Sequence, residues 1–112
     1  MADIITVETT ASVAMAYSLA PGFAFELIEF TLHLNAAATT AEDFTVTKNI
    51  SAGSGYDTLV YKNDIATNSI TDIYFSCEDN EFIFEDDDTL DFAWSNSDLK
   101  TYSMQIKYRR KT

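Results

Sequence analysis

Punctuating and cross-linking residues are almost missing from the sequence: its 112 residues include one cysteine, one proline, three glycines and one histidine. A lone Cys77 closes no internal disulfide, so folding must rest on burial alone, as in a chain made in a reducing cytosol. With so few glycines and prolines there is no linker-like stretch, and no internal repeat of the roughly 20–50-residue kind appears. The expectation is one domain over residues 1–112. No apolar run approaches the ~18 residues of a membrane span. The opening MADIITVETT is acidic and alternating, so no secretory signal is expected. Cations are scarce as well, 7 against 18 acidic residues, for a formal charge of −11. That field has the wrong sign for nucleic acid, whose binding rests on phosphate neutralisation, and for anionic membranes.

What the chain does have is apolar bulk, with 46% hydrophobic and 13% aromatic residues. Its pattern is mostly period two. Ile28, Phe30, Leu32 and Leu34 alternate with Glu29, Thr31 and His33, and Tyr102, Met104, Ile106 and Tyr108 alternate with Ser103, Gln105, Lys107 and Arg109. Phe44 and Val46, and Leu90, Phe92 and Trp94, repeat the motif. Strict alternation marks a strand with one buried face. Less regular strands are expected near 3–8, 12–19, 58–63, 70–76 and 81–85, making about nine in all. Gly53 and Gly55 suit a hairpin that needs positive φ, and Ala36–Ala38 is read as a loop or a single turn. Many short strands between close turns predict an all-β fold. The first choice is a jelly-roll-like antiparallel β-sandwich, or another Greek key.

The candidates for chemistry are weak. His33 stands on the polar face of its strand, and no Gly-x-Ser-x-Gly elbow accompanies it. Cys77 is followed by Glu78 and Asp79, whose charges would raise its pKa and oppose a reactive thiolate. One His and one Cys cannot assemble a thiolate–imidazole zinc site. Residues 78–91 carry eight acids. Asp86, Asp87 and Asp88 are a candidate weak calcium site, but they lack the alternating frame of an EF-hand, and a solvated turn between strands is the first reading. Trp94 shares a face with Leu90 and Phe92 and is expected in the core. No enzyme and no cofactor are expected.

Charge is unevenly distributed. All 18 acids lie within residues 1–99, whereas 100–112 holds Lys100, Lys107, Arg109, Arg110 and Lys111 and no acid. Two readings stand: this basic end lies over the acidic body and relieves self-repulsion, or it contacts an acidic partner or neighbouring subunit. The N-terminal strand, with Ile4 and Thr6, and the C-terminal strand, Ile106 to Arg109, are both expected at sheet edges, where a neighbour can pair with them. The candidate interface is therefore Lys107, Arg109, Arg110, Lys111, Ile4 and Thr6.

Four segments carry a resemblance. Thr40-Ala41-Glu42-Asp43-Phe44-Thr45-Val46-Thr47 and Gly55-Tyr56-Asp57-Thr58-Leu59-Val60-Tyr61 form the first pair. Asp88-Thr89-Leu90-Asp91-Phe92-Ala93-Trp94-Ser95-Asn96 and Thr101-Tyr102-Ser103-Met104-Gln105-Ile106 form the second. Across about half the chain these stretches resemble small β proteins of tailed bacteriophage virions, of the capsid decoration or cement type. The resemblance implies a non-enzymatic structural subunit, made in the host cytoplasm and located in the virion. It would bind the major capsid protein or another virion protein, usually as a homotrimer. No catalytic residues are carried over. The alternatives are a tail, collar or fibre module, and a lectin-like carbohydrate-binding sandwich that would need an exposed aromatic platform or a calcium-held sugar.

Overall fold

The computed structural model describes residues 3–111. Among the described residues nine strands run in order: β1 (Ile4–Ala11), β2 (Met15–Leu19), β3 (Phe25–Leu34), β4 (Asp43–Asn49), β5 (Thr58–Asp64), β6 (Asp72–Ser76), β7 (Ile83–Phe84), β8 (Thr89–Trp94) and β9 (Tyr102–Arg110). One sheet has the order β1-β9-β3-β6, with the two-residue β7 also on β3, and the other has β2-β8-β4-β5. All pairings are antiparallel. Four nested pairs, β4 with β5, β3 with β6, β2 with β8 and β1 with β9, describe one long doubled-back hairpin. Rolling it up brings β9 against β3 and β8 against β4, which is a jelly roll.

The alternating residues meet between the sheets. Phe30 lies at the centre, stacked on Phe75 at 4.9 Å and met edge-on by Phe92, Tyr61 and Phe44 at 5.4, 5.7 and 6.1 Å. A second aromatic group, Phe25 stacked on Phe84 at 4.5 Å with Tyr108 edge-on, closes one end. Such pairs add specific geometry to the apolar area they bury. Trp94 is buried as expected, edge-on to Tyr102.

Four expectations are corrected. The register of β3 on β9 shifts between Leu27 and Glu29. This bulge puts Leu27, rather than Ile28, in line with Phe30, because an extra residue flips every side chain before it. The segment before Met15 is a turn rather than strand. Of the two glycines, Gly53 alone has positive φ (133°), and the tip is a short 3-10 turn, Ser54–Tyr56, rather than a tight hairpin. The C-terminal strand is not an edge: β9 lies between β1 and β3, since closing the roll gives it partners on both sides.

At one end of the sandwich, Asn96 holds the loops together. It is 1% exposed, and its Nδ2 donates to the carbonyls of Val13 and Lys100 at 3.0 Å. Its φ of 47° is a left-handed conformation that asparagine tolerates. Next to it, Asp98 accepts from the backbone N–H groups of Thr39 and Thr40 and from the Thr40 hydroxyl, at 2.7–2.8 Å.

Candidate functional site

The six candidate interface residues divide. Ile4 pairs with Arg109 and Thr6 with Lys107 across β1 and β9, and these rungs continue onto Glu26 and Glu29 of β3. Residues directly opposite one another share a sheet face. Ile4, Thr6, Lys107 and Arg109 therefore form two adjacent rows on the outer face of the larger sheet. Arg110 stands apart, with its guanidinium 4.8 Å from the Phe23 ring centre. Lys111 lies beyond β9 and turns back onto the body.

The basic end is partly spent within the chain. Arg109 Nη1 lies 3.3 Å and Lys111 Nζ 3.8 Å from Glu26 Oε1, and Glu26 Oε2 accepts the Asn80 N–H at 2.9 Å. Glu26 is 3% exposed although it points away from the main core, because the two cations and the 78–81 turn cover it. A buried carboxylate needs such partners. Lys107 and Arg110 retain more freedom, and no ion pair engages either among the described residues.

The edge is more distinctive. Among the described residues, β1 runs for eight residues with β9 on one side and no strand on the other, and its pairing shows no register shift. It contains no proline and no lysine, and its one charge, Glu8, is bonded to Gln105 on the sheet face. Ile4 and Ile5 remain 48% and 37% exposed. The alternate N–H and C=O groups that face away from β9 have no strand to bond to.

The side chains of the acidic turn point apart. Asp86 and Asp87 are exposed, whereas Asp88 is buried and turned inward to accept the Glu85 N–H at 2.9 Å. Among the described residues, no cluster of three or more His, Cys, Asp or Glu side chains converges as a metal would require. The Cys77 thiol is pushed up to about 12, first by burial and then by the charges of Glu81 and Glu26. The direction matches the sequence reading, but Glu78 and Asp79 are not the charges responsible.

The partner of His33 was not foreseeable from the sequence. The ring is exposed, and its Nδ1 lies 2.6 Å from Asp72 Oδ1. This bond is the main cause that holds the Asp72 carboxyl below its ordinary value. An ionised Asp72 only accepts, so Nδ1 donates the proton in this bond and Nε2 is left facing away from it. Ser103 sits opposite His33 on β9, placing Ser103, His33 and Asp72 in one row. The residue types are those of a nucleophilic triad, but among the described residues no hydrogen bond joins Ser103 to His33. The amides of β9 serve its two ladders, so the strand offers no oxyanion hole at Ser103.

No protein-family model matches the chain, and no curated protein matches it. Among solved structures it is similar to the crystal structure of Yersinia pseudotuberculosis-derived mitogen. The TM-score is 0.46 at 11% identity, covering 99% of this chain and 88% of that one. A likeness this distant says nothing about function.

Proposed function

We propose that the chain is a non-enzymatic structural subunit of a virion, a decoration or cement protein of a tailed-phage head, that docks by strand addition along β1. The observation that carries the reading is the open edge: eight residues, free on one side among the described residues, with Ile4 and Ile5 exposed at its start. Backbone hydrogen bonds along such an edge supply affinity, and the side chains that alternate between faces supply register. Lys107, one strand in and level with Thr6, offers an acidic neighbour a charge that steers encounter.

The test is light scattering of the purified protein, followed by co-sedimentation with heads assembled without it. The reading expects a trimer that sediments with heads. It also expects an Ile4→Lys/Ile5→Lys double variant that stays folded and no longer sediments, because charge on an edge blocks strand addition. A protein that ignores heads, or a folded variant that binds them unchanged, refutes docking through β1.

A further inference from the structure

The outer face of the larger sheet is not flat. A groove of about 260 Å³ opens there, lined chiefly by Glu8, Thr10, Thr31, His33, Ser103 and Gln105. Short hydroxyl side chains form its floor, and longer side chains stand at either end: the Glu8–Gln105 pair at one and His33 at the other. Both walls are fixed by hydrogen bonds. Gln105 Nε2 donates to Glu8 Oε1 at 2.8 Å, and His33 is held by Asp72, which also accepts from the Thr71 hydroxyl at 3.2 Å. These bonds leave Gln105 Oε1, Glu8 Oε2, His33 Nε2 and the hydroxyls of Thr10, Thr31 and Ser103 unspent among the residues that line the groove. Beside it stands Tyr74, level with Thr31 across β6 and β3 and 67% exposed.

We propose that this groove binds a neutral saccharide unit. Its walls present hydrogen-bonded polar side chains and its floor presents hydroxyls that both donate and accept, Thr10 directly opposite Ser103 and Thr31 diagonal to it. Vicinal sugar hydroxyls, each a donor and an acceptor, match that inventory. The exposed Tyr74 ring gives a sugar's C–H face an apolar surface beside the polar floor. Glu8 within the groove and a chain charge of −11 oppose phosphates, nucleotides and acidic sugars. Small size and openness make the affinity modest. The site shares Glu8 and Thr10 with β1 but lies on the sheet face rather than along that strand's free side, so sugar binding and head docking are read by separate experiments.

The test is a ¹⁵N–¹H NMR titration of the full chain with galactose, mannose and N-acetylglucosamine, with glucuronate as the anionic control. At least one neutral sugar is expected to give saturable shifts centred on Thr10, Thr31, His33, Ser103 and Gln105, with a Kd of about 1–10 mM. Thr31→Val and Gln105→Ala should each weaken that Kd by about threefold to tenfold, the loss of one hydrogen bond, while spectral dispersion is kept. If one variant loses dispersion, the other decides. The proposal is overturned if no neutral sugar gives saturable shifts, if the shifts map elsewhere, if folded variants bind unchanged, or if glucuronate binds equally. Sugar binding is read on the isolated protein, so its failure leaves head docking standing, and the reverse holds.

Discussion

Glu26 and Arg109 face one another across the β3–β9 ladder, their charged groups 3.3 Å apart and the glutamate almost wholly buried. Two residues 83 apart in sequence thus join the end of the chain to the central strand. Removing one member of a buried pair leaves an uncompensated charge. Arg109→Met should therefore destabilise by about 2–4 kcal/mol, softened by Lys111 and the Asn80 N–H. Adding Glu26→Gln should recover much of that loss, with a coupling above about 1 kcal/mol in denaturant unfolding. Additive losses would show that the pair does not interact.

Trp94 presents a different balance. Its side chain is 2% exposed, and its indole Nε1–H is buried with no hydrogen-bond partner among the described residues. Trp94→Ala opens a core cavity and should cost about 3–5 kcal/mol. Trp94→Phe leaves a smaller void and removes the orphaned donor, whose burial costs about 1–3 kcal/mol, so it should cost less than half as much. Urea unfolding of both variants compares them, and equal losses would contradict this account.

Asp98 makes the loop end acid-sensitive. Its carboxyl is held down to about 2, against an ordinary 3.8, first by the Thr40 hydroxyl and then by the Thr40 and Thr39 N–H groups. A depressed folded value means that the stabilisation is present above about pH 4 and is lost as pH falls towards 2. The wild-type melting temperature should therefore drop more steeply across that window than that of Asp98→Asn. Parallel curves would remove Asp98 from the acid response.

Cys77 should be inert in the native state. With its thiol raised to about 12 by burial and two neighbouring carboxylates, reaction with a disulfide reagent near pH 8 should run at least a hundredfold slower than in the unfolded chain. A native rate matching that of a free thiol would contradict the burial.

Much of the fold was legible because alternation is a local property. Phe44 and Val46, Leu90 to Trp94, and Tyr102 to Tyr108 announce buried faces in the sequence alone, and nine strands without linkers lead to a sandwich. The bulge in β3 was not legible, because Leu27 and Ile28 are both apolar and pairing with β9 alone decides which one faces the core. The place of β9 was hidden for a related reason: strand order is set by long-range pairing, and a terminal strand need not be an edge. Of the interface residues, Ile4, Thr6, Lys107 and Arg109 share two rungs, whereas Lys111 and Arg109 are drawn to Glu26, an acid that the sequence presents as one among 18. The groove depends on Thr10, Ser103, His33 and Asp72 meeting in one row from four strands, and no spacing in the chain encodes that row.

Docking through β1 is tested most directly by hydrogen–deuterium exchange of the protein free and bound to heads. Alternate amides of Ile4–Ala11 point away from β9 and should exchange fast in the free protein, then become protected on the particle. Protection confined to other strands or loops, with β1 exchanging as before on saturated heads, would contradict docking through β1.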